Sequence, residues 1–181
     1  NAILSKYPLE RPRMIRFPGI AKWFGDYQKR LGGRMALMAT IRMPEPVLVV
    51  STHLDSARAD VEIRREQATM LVEALAGEAC VILGGDLNAP PDEPAIQVLR
   101  DAEFVVDAAN DFRRSTQQHD VDGEVRFGPS YIDYVALRGV PVIRTDSSPQ
   151  VIPAVFPQAE MKVENLLGDH TIVTVLAGVG R

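Results

Sequence analysis

The 181-residue chain reads as one α+β domain of layered sheets and helices. Three observations predict it. Short strand patterns come in pairs joined by tight turns, only three stretches carry helical spacing, and strand and helix do not alternate regularly as in a doubly wound parallel sheet. The length suits a single domain with a substantial core. A composition of 46% hydrophobic and 24% charged residues is that of an ordinary soluble globular protein. Internal repeats and low-complexity tracts are absent from the sequence.

Taken in order, Ile20, Trp23, Phe24, Tyr27 and Leu31 fall at helical spacing and Gly32-Gly33 ends the pattern. Arg34 to Arg42 and Val47 to Thr52 read as strands, with a Pro-bearing turn at residues 43–46 making them a hairpin. A long helix comes next over about Arg58 to Ala76. Val61, Ala68, Leu71, Val72 and Leu75 form its apolar face, and Gly77 stops it. Arg64 and Gln67, one turn apart on this helix, read as exposed structural residues. Residues 80–85 form a central strand, Pro94 to Arg100 a short helix, and Val105-Val106 the start of a strand. Residues 110–128 are polar and turn-rich, with Asp122-Gly123 set for a tight hairpin turn between Val121 and Val125. Tyr131 to Leu137 and Val140 to Arg144 read as strands with a turn at Gly139-Val140-Pro141. A Pro-containing loop spans residues 146–164, and Thr171 to Leu176 closes as a last strand.

The net charge of −4 hides an asymmetry. Residues 1–34 hold eight basic residues against two acidic ones, Glu10 and Asp26, whereas the remainder holds twelve against twenty-two. Such a segment, interleaved with Phe17, Trp23, Phe24 and Tyr27, suits either a phosphate-rich partner or a solvated helix whose aromatics face the core. No apolar run approaches the roughly 20 residues needed to span a bilayer. The chain begins at Asn1 without Met, which is compatible with removal of an export signal, so a cytoplasmic and an exported location both stay open. Cys80 is the single cysteine, which excludes an internal disulfide, and it reads as a small buried residue opening a strand.

The chemistry concentrates at Val81-Ile82-Leu83-Gly84-Gly85-Asp86-Leu87-Asn88-Ala89-Pro90-Pro91-Asp92. An apolar run breaks at a glycine pair that leaves room for a ligand. Asp86 and Asn88 then come two residues apart, and in extended chain they leave the strand on the same side. Pro90-Pro91 stops the strand, and Asp92 or Glu93 caps a helix with Pro94 in its first turn. A core strand gains nothing from an Asp and an Asn at its end, so the stretch reads as a site. The alternative is an Asx-type turn satisfying local backbone.

Gly85-Asp86-Leu87-Asn88 followed by Ala89-Pro90 resembles the Gly-Asp-Phe-Asn motif of the endonuclease/exonuclease/phosphatase superfamily. Those metal-dependent phosphoesterases include DNase I, AP endonucleases, sphingomyelinases and inositol-phosphate phosphatases. Three more blocks stand in family order: Ser51-Thr52-His53-Leu54-Asp55, Ile132-Asp133-Tyr134-Val135 and Gly168-Asp169-His170. The resemblance sharpens the fold to a four-layer α/β/β/α sandwich with the site at one end of the packed sheets. It implies His170 as the catalytic His, Asp133 as the carboxylate that pairs with it, and Asp169 as a metal holder. It also implies Asp86 orienting or deprotonating the attacking water and contributing to the metal, Asn88 donating to a phosphoryl oxygen, and His53 donating to phosphate or leaving group. Mg²⁺ or Mn²⁺ suits these oxygen ligands, and no Cys/His cluster stands at zinc spacing.

The chain departs from the family pattern in several places. Gly168 replaces the usual Ser of the last motif, removing a hydroxyl. The Trp-containing stretch of DNA-repair members is missing before Ile132, where Ser130-Tyr131 stands, and so is the Trp-Cys-Asp-Arg stretch of inositol phosphatases. Nucleic acid, phospholipid headgroup and small phosphodiester therefore all stay open as substrates, and His119 matches no block. Two family blocks that would precede Asn1, one with a metal-ligand Glu, are not in this sequence. The chain is thus expected to be the C-terminal two-thirds of a domain, completed by a missing N-terminal portion or another chain. Three functions stay open: a metal-dependent phosphoesterase, a nuclease on DNA or RNA, and a catalytically silent fragment or interaction module.

Overall fold

The computed structural model describes residues 1–17, 33–42, 46–106 and 131–140 throughout, and the strand backbone of residues 116–119, 125–130, 142–148 and 172–177. Five strands form one mixed sheet in the order β1-β2-β3-β4-β7. These are β1 (Leu9–Arg16), β2 (Met35–Ile41), β3 (Val47–His53), β4 (Val81–Asp86) and β7 (Asp133–Arg138). Strands β1 to β3 run as an antiparallel meander, β3 and β4 are parallel, and β7 returns antiparallel to β4. Between β3 and β4 the chain passes through helix α1 (Val61–Ala74), the crossover that a parallel pair requires. Helix α2 (Pro94–Asp101) comes after β4. Two further antiparallel pairs join β5 (Thr116–His119) to β6 (Val125–Ser130) and β8 (Val142–Ser148) to β9 (Ile172–Ala177).

Side chains alternate across the sheet and decide where the core sits. Met38, Leu48, Val50, Val81, Leu83 and Ala136 share one face and pack with Ala68 and Leu71 of α1, its C-cap Leu75, and Ile96 and Leu99 of α2. These residues are all at most 3% exposed, so burial on this face decides the register of the central strands. Arg138 closes the far end of the layer. Its Nη2 donates to the carbonyls of Leu75 and Glu78, its Nη1 to that of Ala102, and its guanidinium lies 4.7 Å from the Phe104 ring centre. One cation thus serves the carbonyl ends of both helices, where the helix dipole favours positive charge.

Edge strand β1 is blunted. Pro12 removes a ladder donor, the register slips between Glu10 and Arg13, and Arg11 sits at φ 49°. Exposed Arg13 and Arg42 pair with Glu78 and Glu10. Proline, a bulge and charge are the devices that keep an edge from recruiting another strand.

The hairpin of residues 34–52, the long helix, the central strand and the short helix occur where the sequence places them. Helix α1 starts at Val61 and not at Arg58, because residues 57–60 form a turn closed by the Asp60 N–H on the Ala57 carbonyl, and Asp60 is the N-cap. Val105 makes one isolated antiparallel bridge to Leu137, and the continuation expected of a strand there lies outside the described residues. Gly139 turns with φ 65° as expected, yet β7 and β8 join different sheets. Cys80 is half-buried, with its thiol donating to the Gly139 carbonyl. The helix expected over Ile20–Leu31 and the turn at Asp122-Gly123 lie outside the described residues.

Candidate functional site

The parallel register pairs His53 with Asp86, and the antiparallel register pairs Asp86 with Asp133. Three residues from three separate sequence blocks therefore form one row across β3, β4 and β7, at one end of the sheet. The row lies on the face opposite Leu48, Val50 and Leu83, because paired residues share a face and the pleat alternates. His53 Nε2 stands 3.3 Å from Asp86 Oδ2. The imidazole side chain is 44% exposed and the carboxylate 14%, so the row is more open at His53 than at Asp86.

Asn88 sits one loop residue beyond the row. Its backbone N–H donates to Asp86 Oδ1 at 2.8 Å, an Asx turn, and its Nδ2 donates to the Leu54 carbonyl at 3.1 Å. The left-handed φ of 49° at Asn88 is a conformation that Asn tolerates better than most residues. Asp86 thus closes its own turn with one oxygen and meets His53 with the other. Below the turn, the Tyr134 hydroxyl donates to the Ala89 carbonyl at 2.7 Å, and the Tyr134 ring meets Tyr131 edge-on at 4.9 Å. Tyr134 is legible in the sequence only as part of the Ile132-Asp133-Tyr134 block; its hydroxyl fixes the loop beyond Asp86.

Gly85, one of the pair from which the sequence implied room for a ligand, has a steric use between two strands. A Cβ on Gly85 would lie 1.9 Å from the Thr52 carbonyl oxygen, and φ there is 150°, so Gly85 lets β3 and β4 approach at the site. Gly84 meets nothing nearer than 3.9 Å.

Arg64 and Gln67 require the largest correction. They are 3% and 0% exposed, and they belong to the same stripe of α1 as Ala68, Leu71 and Leu75. Arg64 forks onto the Glu93 carboxylate through Nε and Nη2. Its Nη1 donates to the carbonyls of Asp55 and Ala57 at 3.1 and 2.7 Å. Gln67 accepts the Asp55 N–H and donates to Asp55 Oδ2, at 3.0 and 2.9 Å. Arg34 approaches the same fully buried carboxylate at 4.0 Å. Spacing carried the signal, since positions 64, 67, 68, 71 and 75 all fall on one helical face; the polar side chains masked it.

Asp86, Asp133 and Asn88 offer hard oxygen donors, the chemistry that suits Mg²⁺ or Mn²⁺ with water completing the shell. Among the described residues no group of three or more His, Cys, Asp or Glu side chains is close enough to hold a metal ion. Asp169 and His170, expected as metal holder and catalytic His, lie outside the described residues, as does the side chain of His119. Helix-borne membrane spans are absent among the described residues.

Similarity to known proteins is structural. No protein-family model matches the chain, and no curated protein matches it in sequence. Its fold matches the crystal structure of an endonuclease/exonuclease/phosphatase from Bacteroides vulgatus with a TM-score of 0.66 at 18% identity, over 96% of this chain and 67% of that one. A beta toxin from Staphylococcus aureus matches with a TM-score of 0.71 at 19% identity, over 96% and 66%. A functionally unknown conserved protein from Enterococcus faecalis V583 matches at 0.68 and 20%, over 94% and 67%. The chain spans about two thirds of the length of these structures. Its mixed sheet and two helices correspond to part of the DNase I-like fold.

Proposed function

We propose that this chain, which shares its fold with endonuclease/exonuclease/phosphatase structures, carries the C-terminal two-thirds of a four-layer DNase I-like domain and serves a divalent-metal-dependent phosphoesterase. The observation that carries the reading is the row His53, Asp86, Asp133 with Asn88 beside it, assembled from three distant blocks at one sheet end. A structural sheet end has no need of two carboxylates, an imidazole and a carboxamide together.

Asp86 would orient the attacking water and draw its proton, its carboxylate being partly shielded at the sheet end beside His53. His53 keeps its Nε2 at Asp86 until a phosphate oxygen or leaving group takes that place. Asn88, held in its left-handed turn, presents a second carboxamide N–H for a phosphoryl oxygen beyond the one given to Leu54. Asp133 would orient His170, the general base or charged donor, and Asp169 would share a cation with Asp86. Mg²⁺ or Mn²⁺, when bound, supplies stabilisation of the charge that develops on the phosphoryl oxygens.

The test is hydrolysis of bis-(p-nitrophenyl) phosphate with Mg²⁺ or Mn²⁺, with and without chelator, on wild type and on Asp86→Asn and His170→Ala. Turnover that needs the cation and falls in both variants supports the reading. A folded chain without metal-dependent turnover, also when supplemented with the remainder of its domain, leaves a silent interaction module. Salt-sensitive binding to DNA or RNA distinguishes a nuclease from an enzyme of small phosphodiesters.

A further inference from the structure

Two loops leave the candidate site, one from the end of β3 and one from the end of β4. The first runs from His53 to Ala57 and the second from Asp86 to Glu93. They touch through Leu54, whose N–H donates to the Asp86 carbonyl and whose own carbonyl accepts Asn88 Nδ2. Behind them, α1 grips both: Gln67 takes the N–H and carboxylate of Asp55, while Arg64 takes two carbonyls of the first loop and the Glu93 carboxylate of the second. Glu93 opens α2 as its N-cap, yet makes no side-chain capping bond there; its carboxylate is turned to Arg64 instead. A buried charge pair is not a stability device by default, since apolar residues of similar volume often serve as well. Planar, bidentate geometry does deliver fixed distance and orientation.

We infer that Arg64, Gln67 and Glu93 form a clamp that couples the His53 loop to the Asn88 loop, which makes them positioning residues for the proposed phosphoester chemistry. The inference rests on that reading for its catalytic consequence, but not for the coupling itself. Lysine at position 64 keeps a charge and loses the fork, so it cannot hold Glu93 and two carbonyls at once.

Amide hydrogen exchange tests the coupling across the clamp. Glu93→Gln perturbs the second loop, and the readout is the Asp55 amide of the first. Gln67→Met perturbs the first loop, and the readout is the Asn88 amide of the second. Expected is roughly tenfold faster exchange at the remote amide in each variant, the factor that corresponds to loss of about one hydrogen bond. Acceleration confined to the loop that lost its own bond overturns the inference. In the hydrolysis assay, Arg64→Lys should lower kcat with KM nearly unchanged, and should add little in a His53→Gln background, because the placement of that loop then no longer matters. An equal fold-loss in both backgrounds assigns Arg64 to stability alone and overturns the positioning role. Should wild type show no turnover, the phosphoesterase reading fails while the exchange experiment still decides the clamp.

Discussion

Asp86 has two partners that ask different things of it. Its Oδ1 accepts the Asn88 N–H and its Oδ2 faces His53. Asp86→Asn retains an oxygen for the turn and removes the charge, so the fold should persist while hydrolysis falls by about 10²- to 10⁴-fold, the range for loss of a general base. A near-wild-type rate in a folded variant would remove Asp86 from the chemistry. Its neighbour Gly85 is a steric requirement. An added methyl meets the Thr52 carbonyl oxygen at 1.9 Å, so Gly85→Ala should cost about 1–3 kcal/mol in urea unfolding through displaced strands. The Asp86-x-Asn88 pair was legible from its spacing, but strand alternation is not what joins it: β4 ends at Asp86, and the Asx turn, the alternative reading of this stretch, brings Asn88 back with φ 49°. The reason for the glycine was not legible, since it depends on the carbonyl of a strand more than thirty residues away.

At the scale of elements, α1 shows why pattern reading succeeds and then stops. Ala68, Leu71 and Leu75 mark its buried face correctly, because burial of apolar area dominates a helix that packs on a sheet. Arg64 and Gln67 share that face, against the rule that polar helix residues face water. What overrides the rule is the need of the irregular loop at residues 54–57, with Leu54 and Asp55 buried, for partners to its backbone groups. Arg64→Met should therefore destabilise by about 3–5 kcal/mol, and the double variant Arg64→Met with Glu93→Leu should recover the part due to an unpaired Glu93 but not the part due to the Asp55 and Ala57 carbonyls. The exposed pair Arg65–Glu62 on the same helix is the contrast. Glu62 pushes the Arg65 guanidinium pKa upward, so any stability from it is present below the unfolded value and lost only on passing the higher folded value. That window lies above the neutral range. Across pH 6 to 8 the contribution is therefore constant and, for an exposed ion pair, small, so Glu62→Gln should lower the unfolding midpoint only slightly and by the same amount at both pH values.

Over the whole molecule, the site exists only because β3, β4 and β7 stop level with one another. The order of blocks along the chain implied that they meet; the register that aligns His53, Asp86 and Asp133 could not be read from it, because register depends on pairing between strands distant in sequence. The same limit hid the separation of β7 and β8, since a Gly-Val-Pro corner serves a hairpin and a sheet-to-sheet crossing equally well. A row drawn from three strands has a global consequence. A cation held by Asp86 and its neighbours would bind the assembled sheet and not the unfolded chain, where these residues are far apart, so it must raise stability by mass action. At a free Mg²⁺ or Mn²⁺ concentration 100-fold above its dissociation constant the gain is about 2.7 kcal/mol. Thermal unfolding with increasing Mn²⁺ should then show a rising midpoint, reversed by chelator and much reduced in Asp86→Asn. A midpoint that rises equally in Asp86→Asn would place the cation elsewhere on the molecule, and Asp86 would keep only its roles as turn residue and partner of His53.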